Sequence, residues 1–271
     1  MSELFEKALA ATKTSGRYEL RGTVTDVRGL VIEGTGPFVP VGARVYIHSG
    51  KRQIPAQVVG FRKDKILVMP FADTQGVSSG TEITASASSS EVVVSERYLG
   101  RVINALGDPI DGGAPIIGGD LTPLFRDPPN PVTRSRIKQY FDLGVRAMNS
   151  FLTVGVGQRV GIMAGSGVGK STLLGMIARH SKSDINVIGL VGERGREVRE
   201  FIERDLGPEG LKRSVVVVAT GNESSLLRIR AAFLATAFAE YFRDQGKKVV
   251  LMLDSVTRLA MAQREIGLAI G

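Results

Sequence analysis

The stretch Ala164-Gly165-Ser166-Gly167-Val168-Gly169-Lys170-Ser171-Thr172 limits what this chain can fold into more than any other part of it. Glycine at every second position lets the backbone turn tightly and aim its N–H groups at one point. An apolar run, Val160-Gly161-Ile162-Met163, comes before it, and a helical run, Leu173-Leu174-Gly175-Met176-Ile177-Ala178, comes after. Strand, glycine loop, Lys-Ser and helix is the order that a phosphate-binding loop needs. The helix start adds the positive end of its dipole. Gly165, Ser166, Gly167, Val168, Gly169, Lys170, Ser171 and Thr172 are therefore expected to hold the phosphates of a nucleotide, with Lys170 reaching the β- and γ-phosphates and the Ser171 hydroxyl a ligand for Mg²⁺. The first position of the motif, ordinarily glycine, is Ala164 here; Gly165, Gly167 and Gly169 remain to make the turn.

Such a loop belongs to an α/β fold, and the residues around it alternate accordingly. Apolar runs at 159–164, 187–191, 214–219 and 249–253 read as strands, and helices are expected over 170–180, 196–206 and 225–244. This alternation predicts a parallel sheet covered on both faces. Ligands of such sheets bind at the carboxyl ends of the strands, and two acids stand there. Asp254 ends the run Lys248–Leu253 and is the expected second Mg²⁺ ligand, with helix capping as the alternative because a helical pattern follows. Glu193 follows Val187–Val191 and is the candidate general base that orients the attacking water. Arg196 and Glu197 beside it read as intrahelical ion pairs at a helix start. The run over 225–244 is apolar nearly all round, which marks a buried helix.

The N-terminal third reads differently. Residues 1–17 form an extension, with Leu4, Phe5, Ala8 and Leu9 on one side of a short amphipathic helix. Over 18–92, short β-like runs recur at roughly ten-residue spacing between Gly and Pro signals, the pattern of a small antiparallel β-barrel. The second, α/β domain then takes 93–271, opening on a turn-rich connector over 97–131.

Composition closes off other chemistry. Cysteine is absent and histidine occurs twice, as His48 and His180, so thiol catalysis, zinc–thiolate sites and multi-histidine metal clusters are excluded. His180 is expected at a helix end or surface. No apolar run approaches the ~18 residues of a membrane span, and the charged N-terminus lacks a signal-peptide core. The net charge of +8 includes six basic residues between Arg44 and Lys65, read as a solvated face. No basic–aromatic alternation of the RNA-binding kind accompanies it, and Phe38, Tyr46, Phe61 and Phe71 read as barrel core.

Several segments resemble one family. Val191-Gly192-Glu193-Arg194-Gly195-Arg196-Glu197-Val198 is similar to a segment of rotary-ATPase catalytic subunits, and Leu99–Asp111 and Ala239–Asp244 resemble two others. The phosphate loop, Asp254-Ser255-Val256-Thr257-Arg258, Met261–Ile266 and Ala269-Ile270-Gly271 resemble the type III export branch, flagellum-specific ATPases first and injectisome ATPases as siblings. The resemblance implies a small β-barrel followed by a RecA-like domain, cytoplasmic and peripheral to the inner membrane at the flagellar basal body. It implies homo-hexameric rings hydrolysing ATP to release and unfold export substrates. The implied partners are a stator-like coiled-coil regulator at the N-terminus, export gate membrane proteins, and substrates with their chaperones. It also implies Arg194 and Arg258 as charge support near the γ-phosphate. Family members continue past Gly271 with the rest of the sheet, an arginine finger, an adenine-stacking aromatic and a helical domain. The chain is thus expected to be C-terminally truncated, with weak or absent turnover alone. Two alternatives of other classes are a non-catalytic ring subunit, against which Glu193 argues, and a hexameric RNA translocase. The absence of Trp argues against the second, and no nucleic acid is expected as a partner.

Overall fold

The structure is a computed structural model that describes residues 20–85, 91–165 and 167–271. The expected extension over 1–17 and Ser166 lie outside the described residues. The chain falls into two units, one of residues up to Ser90 together with Arg264–Gly271, the other of Glu91–Gln263.

The first unit contains β1 (Leu20–Arg28), β2 (Val31–Gly34), β3 (Arg44–Ser49), β4 (Arg52–Arg62), β5 (Lys65–Pro70) and β6 (Glu82–Ala85). They form a closed antiparallel barrel in the order β1-β2-β5-β4-β3-β6. Alternate residues turn inward, Val45 and Ile47 on β3, Ile54, Ala56 and Val58 on β4, Ile83 and Ala85 on β6, and these fill the interior. The pairs Leu20↔Ala85 and Gly22↔Ile83 close the ring, so no strand edge is left open. His48 Nε2 meets Thr84 Oγ1 at 2.7 Å across β3 and β6. Of the basic run, Arg62 and Lys65 lie 3.2 and 3.5 Å from the buried carboxylate of Glu33, while Lys51, Arg52 and Lys63 are solvated. Two aromatics depart from the expectation of a core role. Phe38, in the loop before β3, is 66% exposed, and Phe61, near the β4–β5 turn, is 50% exposed. The β-branched and aliphatic residues already fill the interior, which leaves no room for two more rings.

The second unit carries β8 (Val102–Asn104), β10 (Ile185–Val191), β11 (Ser214–Ala219) and β12 (Val249–Asp254), all parallel, in the order β12-β10-β11-β8. β10 and β11 run in register from Asn186↔Ser214 to Val191↔Ala219. Their alternation divides the core in two. Val187, Val191, Val215 and Val217 pack on Leu234, Phe238 and Phe242 of the long helix α5 (Ser225–Asp244). Ile188, Leu190, Val216 and Val218 pack on Leu174, Ile177 and Ala178 of α2 (Lys170–His180). The remaining helices are α1 (Arg146–Phe151), α3 (Gly195–Glu200), α4 (Gly207–Lys212) and α6 (Val256–Ile270). A π-helical turn over Phe201–Leu206 joins α3 to α4, where the sequence pattern suggests one helix over 196–206.

Two further differences concern strands. The connector over 97–131 is more than a linker: it contributes β8 to the sheet, and β9 (Asp120–Pro123) pairs with β7 (Glu91–Val94). β8 is held by Asp111, whose carboxylate accepts from Arg101 at 2.7 Å and from the Val102 N–H at 3.0 Å. The apolar run over 159–164 forms no strand. It stays unpaired and Met163 is 96% exposed. A strand exists only where a neighbour's N–H and C=O groups meet its own. β12 is the edge of the sheet, and among the described residues nothing pairs with its outer side. No described helix is long and apolar enough to cross a membrane.

Candidate functional site

The phosphate loop leads into α2 as the sequence order requires. Gly167 and Gly169 take φ of +77° and +96°, left-handed conformations that side-chain-bearing residues resist. Gly169 caps α2 without any side-chain hydrogen bond, and the first turn carries no acid. The first N–H groups of any α-helix lack intrahelical partners, so this end offers donors and a positive dipole end. A methyl group built at Gly165, Gly167 or Gly169 would meet nothing within 4 Å. A backbone cradle facing open space, next to a lysine, fits the phosphates of a nucleotide.

Three strand-end and helix-start features converge beside the loop. Lys170, the first residue of α2, donates through Nζ to the Asp254 carboxylate at the end of β12. Asp254 is 5% exposed, so its charge is held by this partner rather than by water. β10 ends at Val191, Gly192 turns the chain at φ +76°, and Glu193 follows. Ser171, Glu193 and Asp254 line one cleft, together with Glu197 and an apolar wall of Leu190, Val198 and Phe201.

The electrostatics of the cleft separate its acids. Burial, a hydrogen bond with Glu197 and the nearby charge of Asp254 push the Glu193 carboxyl up to about 7. Glu197 is held low by its hydrogen bonds to Glu193 and Arg194. Their hydrogen bond favours a proton on Glu193 over one on Glu197. Arg194, a candidate for charge support, has its guanidinium 2.8 Å from Glu197, and its side chain is 75% exposed. Arg258, the other candidate, lies in the first turn of α6. It donates to the Gly192 carbonyl and stands 3.5 Å from Glu193 Oε2. The structure thus brings Lys170, Ser171, Glu193, Asp254 and Arg258 together and leaves Arg194 at the rim.

A divalent metal also fits these donors. No cluster of three or more His, Cys, Asp or Glu able to hold a metal ion occurs among the described residues. Mg²⁺ needs no such cage, because it is usually held by one or two carboxylates with phosphate oxygens and water. Asp254 and the Ser171 hydroxyl supply that partial set on the cleft wall.

The far end of α2 anchors the site. The Arg213 guanidinium donates to the carbonyls of Ala178 (2.6 Å), Ser181 (3.2 Å) and Ser183 (2.8 Å). The fully buried Asn186 donates to the same Ala178 carbonyl at 2.8 Å and accepts from Ser183 Oγ at 2.8 Å. His180 is exposed at this end. The sequence pattern misses two participants. Glu197 looks like a surface ion pair and does pair with Arg194, but it also touches Glu193. Gly221 donates from its backbone to the Glu193 carbonyl at 3.0 Å, a contact that no side-chain motif announces.

Comparison with known proteins places this architecture. Family models described as the ATP synthase alpha/beta family match twice: the beta-barrel domain over residues 24–86 and the nucleotide-binding domain over residues 144–271. The flagellum-specific ATP synthase of Bacillus subtilis (strain 168) is 53% identical over 94% of this chain and 59% of its own length. The type 3 secretion system ATPase of Xanthomonas euvesicatoria is 46% identical over 98% of this chain and 60% of its own. The assembled ATPase EscN, solved in complex with its central stalk EscO from the enteropathogenic E. coli type III secretion system, superposes with a TM-score of 0.84. It is 43% identical and covers 92% of this chain and 61% of its own. The chain spans about three-fifths of the length of these curated relatives. With both its barrel and its nucleotide-binding domain matched, the chain belongs to the ATP synthase alpha/beta family.

Proposed function

We propose that this chain is the nucleotide-binding part of a Mg-ATP-hydrolysing subunit of a flagellar type III protein export apparatus. One observation carries the reading: the phosphate-loop lysine binds Asp254, and Asp254 lines one cleft with Glu193 from the end of the neighbouring strand. The flagellar setting rests on the relatives, since the Bacillus subtilis protein is more similar than the Xanthomonas protein.

Each residue has a part that its geometry supports. The backbone of Gly165–Thr172 cradles the phosphates. Lys170 leaves Asp254 for the γ-phosphoryl oxygens, where it offsets developing charge. Asp254 and Ser171 would hold Mg²⁺, which would neutralise phosphate charge when bound. Once ionised, Glu193 takes the proton of an in-line water, and Glu197 is placed to share that proton. Arg194 contributes charge only if it leaves Glu197. Subunits of the same kind, six to a ring, would close the site. The stator-like regulator at residues 1–15, the export gate, and substrates with their chaperones are the partners this reading calls for.

Calorimetric titration of Mg-ATP into the chain, beside Lys170→Ala, tests the reading. Losing charge-assisted contacts worth roughly 1.5–3 kcal/mol each should weaken binding by about a hundredfold. Equal binding by both chains would overturn the assignment of the site.

A further inference from the structure

Ser171, Gly175 and Arg179 stand four residues apart on α2 and so fall along one face of it. Ser171 lines the cleft with Glu197, Val198 and Phe201. The other two meet the π-turn that follows α3. A methyl group built at Gly175 would fall 2.4 Å from the Asp205 carbonyl oxygen, and the Arg179 guanidinium donates to that same oxygen. Gly175 sits inside a helix, where glycine ordinarily costs stability relative to alanine. Its use there answers to the closeness of the Asp205 backbone.

The π-turn is built to present that carbonyl. It runs from Phe201 to Leu206 and closes with a wide i→i+5 bond, from the Gly207 N–H to the Ile202 carbonyl. Gly207 then takes φ of +66°, and Pro208 brings no N–H to continue the ladder. Phe201, at one end of the turn, lines the cleft. Leu206, at the other, is fully buried in the core formed with Leu174 and Ile177 of α2. Apolar packing is not directional and lets one segment slide on another. A backbone contact with no side chain between, closed by a charge-assisted hydrogen bond, fixes a distance. Gly210 of α4 completes the fit, since a methyl group there would fall 2.8 Å from Leu206 Cδ1 and 3.2 Å from Arg179 Cγ.

We propose that Gly175 and Arg179 are the positioning pair of the cleft: they dock the Asp205 carbonyl of the π-turn onto the phosphate-loop helix, and this docking sets how far Glu197, Val198 and Phe201 stand from Ser171. Through the hydrogen bond between Glu193 and Glu197, it also sets where the Glu193 carboxyl points. The proposal rests on the reading of the cleft as the site of ATP hydrolysis, with Glu193 as general base. With a methyl group at 175, the π-turn must retreat by about 1 Å to regain ordinary contact. A displacement of about 1 Å at reacting groups costs on the order of a hundredfold in rate. The phosphate loop precedes Gly175 by a full helical turn, so its grip on the nucleotide is spared.

The test is a double-mutant cycle in the full-length assembled protein, with nucleotide affinity measured separately by calorimetry in the absence of divalent metal. Gly175→Ala should lower kcat about a hundredfold, with the nucleotide Kd changed by less than about twofold. Arg179→Met, which keeps most of the stem and loses the donor, should lower kcat about tenfold. Arg179→Lys, which keeps a donor, should recover part of that loss. Both positions act on one carbonyl, so the double variant should be no slower than Gly175→Ala alone. If Gly175→Ala does not fold, the two Arg179 variants carry the test. A parent-like kcat in Gly175→Ala or in Arg179→Met would overturn the proposal. Parallel losses in affinity and kcat would overturn it too, as would losses that multiply in the double variant. If Glu193→Gln hydrolyses as fast as the parent, the reading of the cleft fails and the proposal falls with it. If Glu193→Gln is impaired while Gly175→Ala keeps full activity, only the positioning role is overturned.

Discussion

The two ends of α2 are built on opposite terms. At the C-terminal end Arg213 and Asn186 fill the Ala178 carbonyl, and Ser181, Ser183 and Asn186 are buried with their hydrogen bonds made within the chain. At the N-terminal end glycine caps the helix, no side chain serves the first turn, and the loop faces open space. One helix thus has a finished end and an open end. Unmade hydrogen bonds cost stability, so donors left open beside a lysine mark the place where a ligand completes the structure. The difference teaches that the fold of this unit is anchored away from the phosphates and its chemistry is placed where the anchoring stops.

The largest effect should come from breaking the finished end. Arg213→Ala removes donors from three carbonyls at once and a cation from the helix C-terminus. We expect a loss of roughly 2–4 kcal/mol in unfolding free energy, read by chemical denaturation. Nucleotide affinity, measured where both proteins are folded, should be unchanged. If affinity falls with stability, the two ends are coupled and the contrast between them is false.

The next effect comes from the open side of the cleft and depends on pH. Glu193 holds its proton more tightly in the folded chain, at about 7 against 4.5 for an ordinary glutamate. A carboxyl raised in this way contributes stability that is complete below the unfolded value and is lost as pH climbs through the folded one. Glu193→Gln cannot ionise, so it should remove that decline. The variant should exceed the parent by on the order of 1–3 kcal/mol at high pH, and the difference should close below about pH 5. Hydrolysis by the parent should move the other way, rising as Glu193 ionises through about pH 7. Melting curves of the two proteins that stay parallel from acid to alkaline pH would show that the acid is not raised.

Much of this was legible in the sequence, for reasons that can be named. The barrel strands alternate inward residues with period two, so Val45, Ile47, Ile54, Ala56 and Val58 announce their own face. α2 and α5 show their bounds because Lys170 follows a glycine loop and Ser224 caps α5 by accepting from the Leu227 N–H. Glu193 and Asp254 sit at the ends of strands that periodicity alone finds, and the Gly-rich loop shows itself by its glycine spacing. What stayed hidden depends on partners distant in sequence. Residues 159–164 have a strand's composition but no neighbour to pair with, while Val102–Asn104 has little composition to show and pairs with β11 all the same. Phe38 and Phe61 look like core because their chemistry is apolar, yet the barrel interior is already full. Glu197 looks like half of a helical ion pair, since nothing local tells that Glu193 lies across from it.

The smallest effect probes the open end itself. Gly169 combines φ of +96° with empty space where a side chain would go. Alanine there meets no steric obstacle, so its whole cost is conformational, about 1–2 kcal/mol for a left-handed residue with a β-carbon. Two responses differ in what they spare. If the loop keeps its shape, Gly169→Ala loses that amount of stability and retains nucleotide affinity. If the loop relaxes, residue 169 turns right-handed and lengthens α2, stability is kept, and the N–H groups no longer converge on the phosphates. Because little packs against the loop, relaxation is the expected outcome: a stability change below about 0.5 kcal/mol with affinity reduced roughly tenfold. Paired denaturation and calorimetry separate the two. The opposite result, stability lost and affinity kept, would mean that the open end is as firmly built as the finished one, and that its glycines hold a shape set by the rest of the fold.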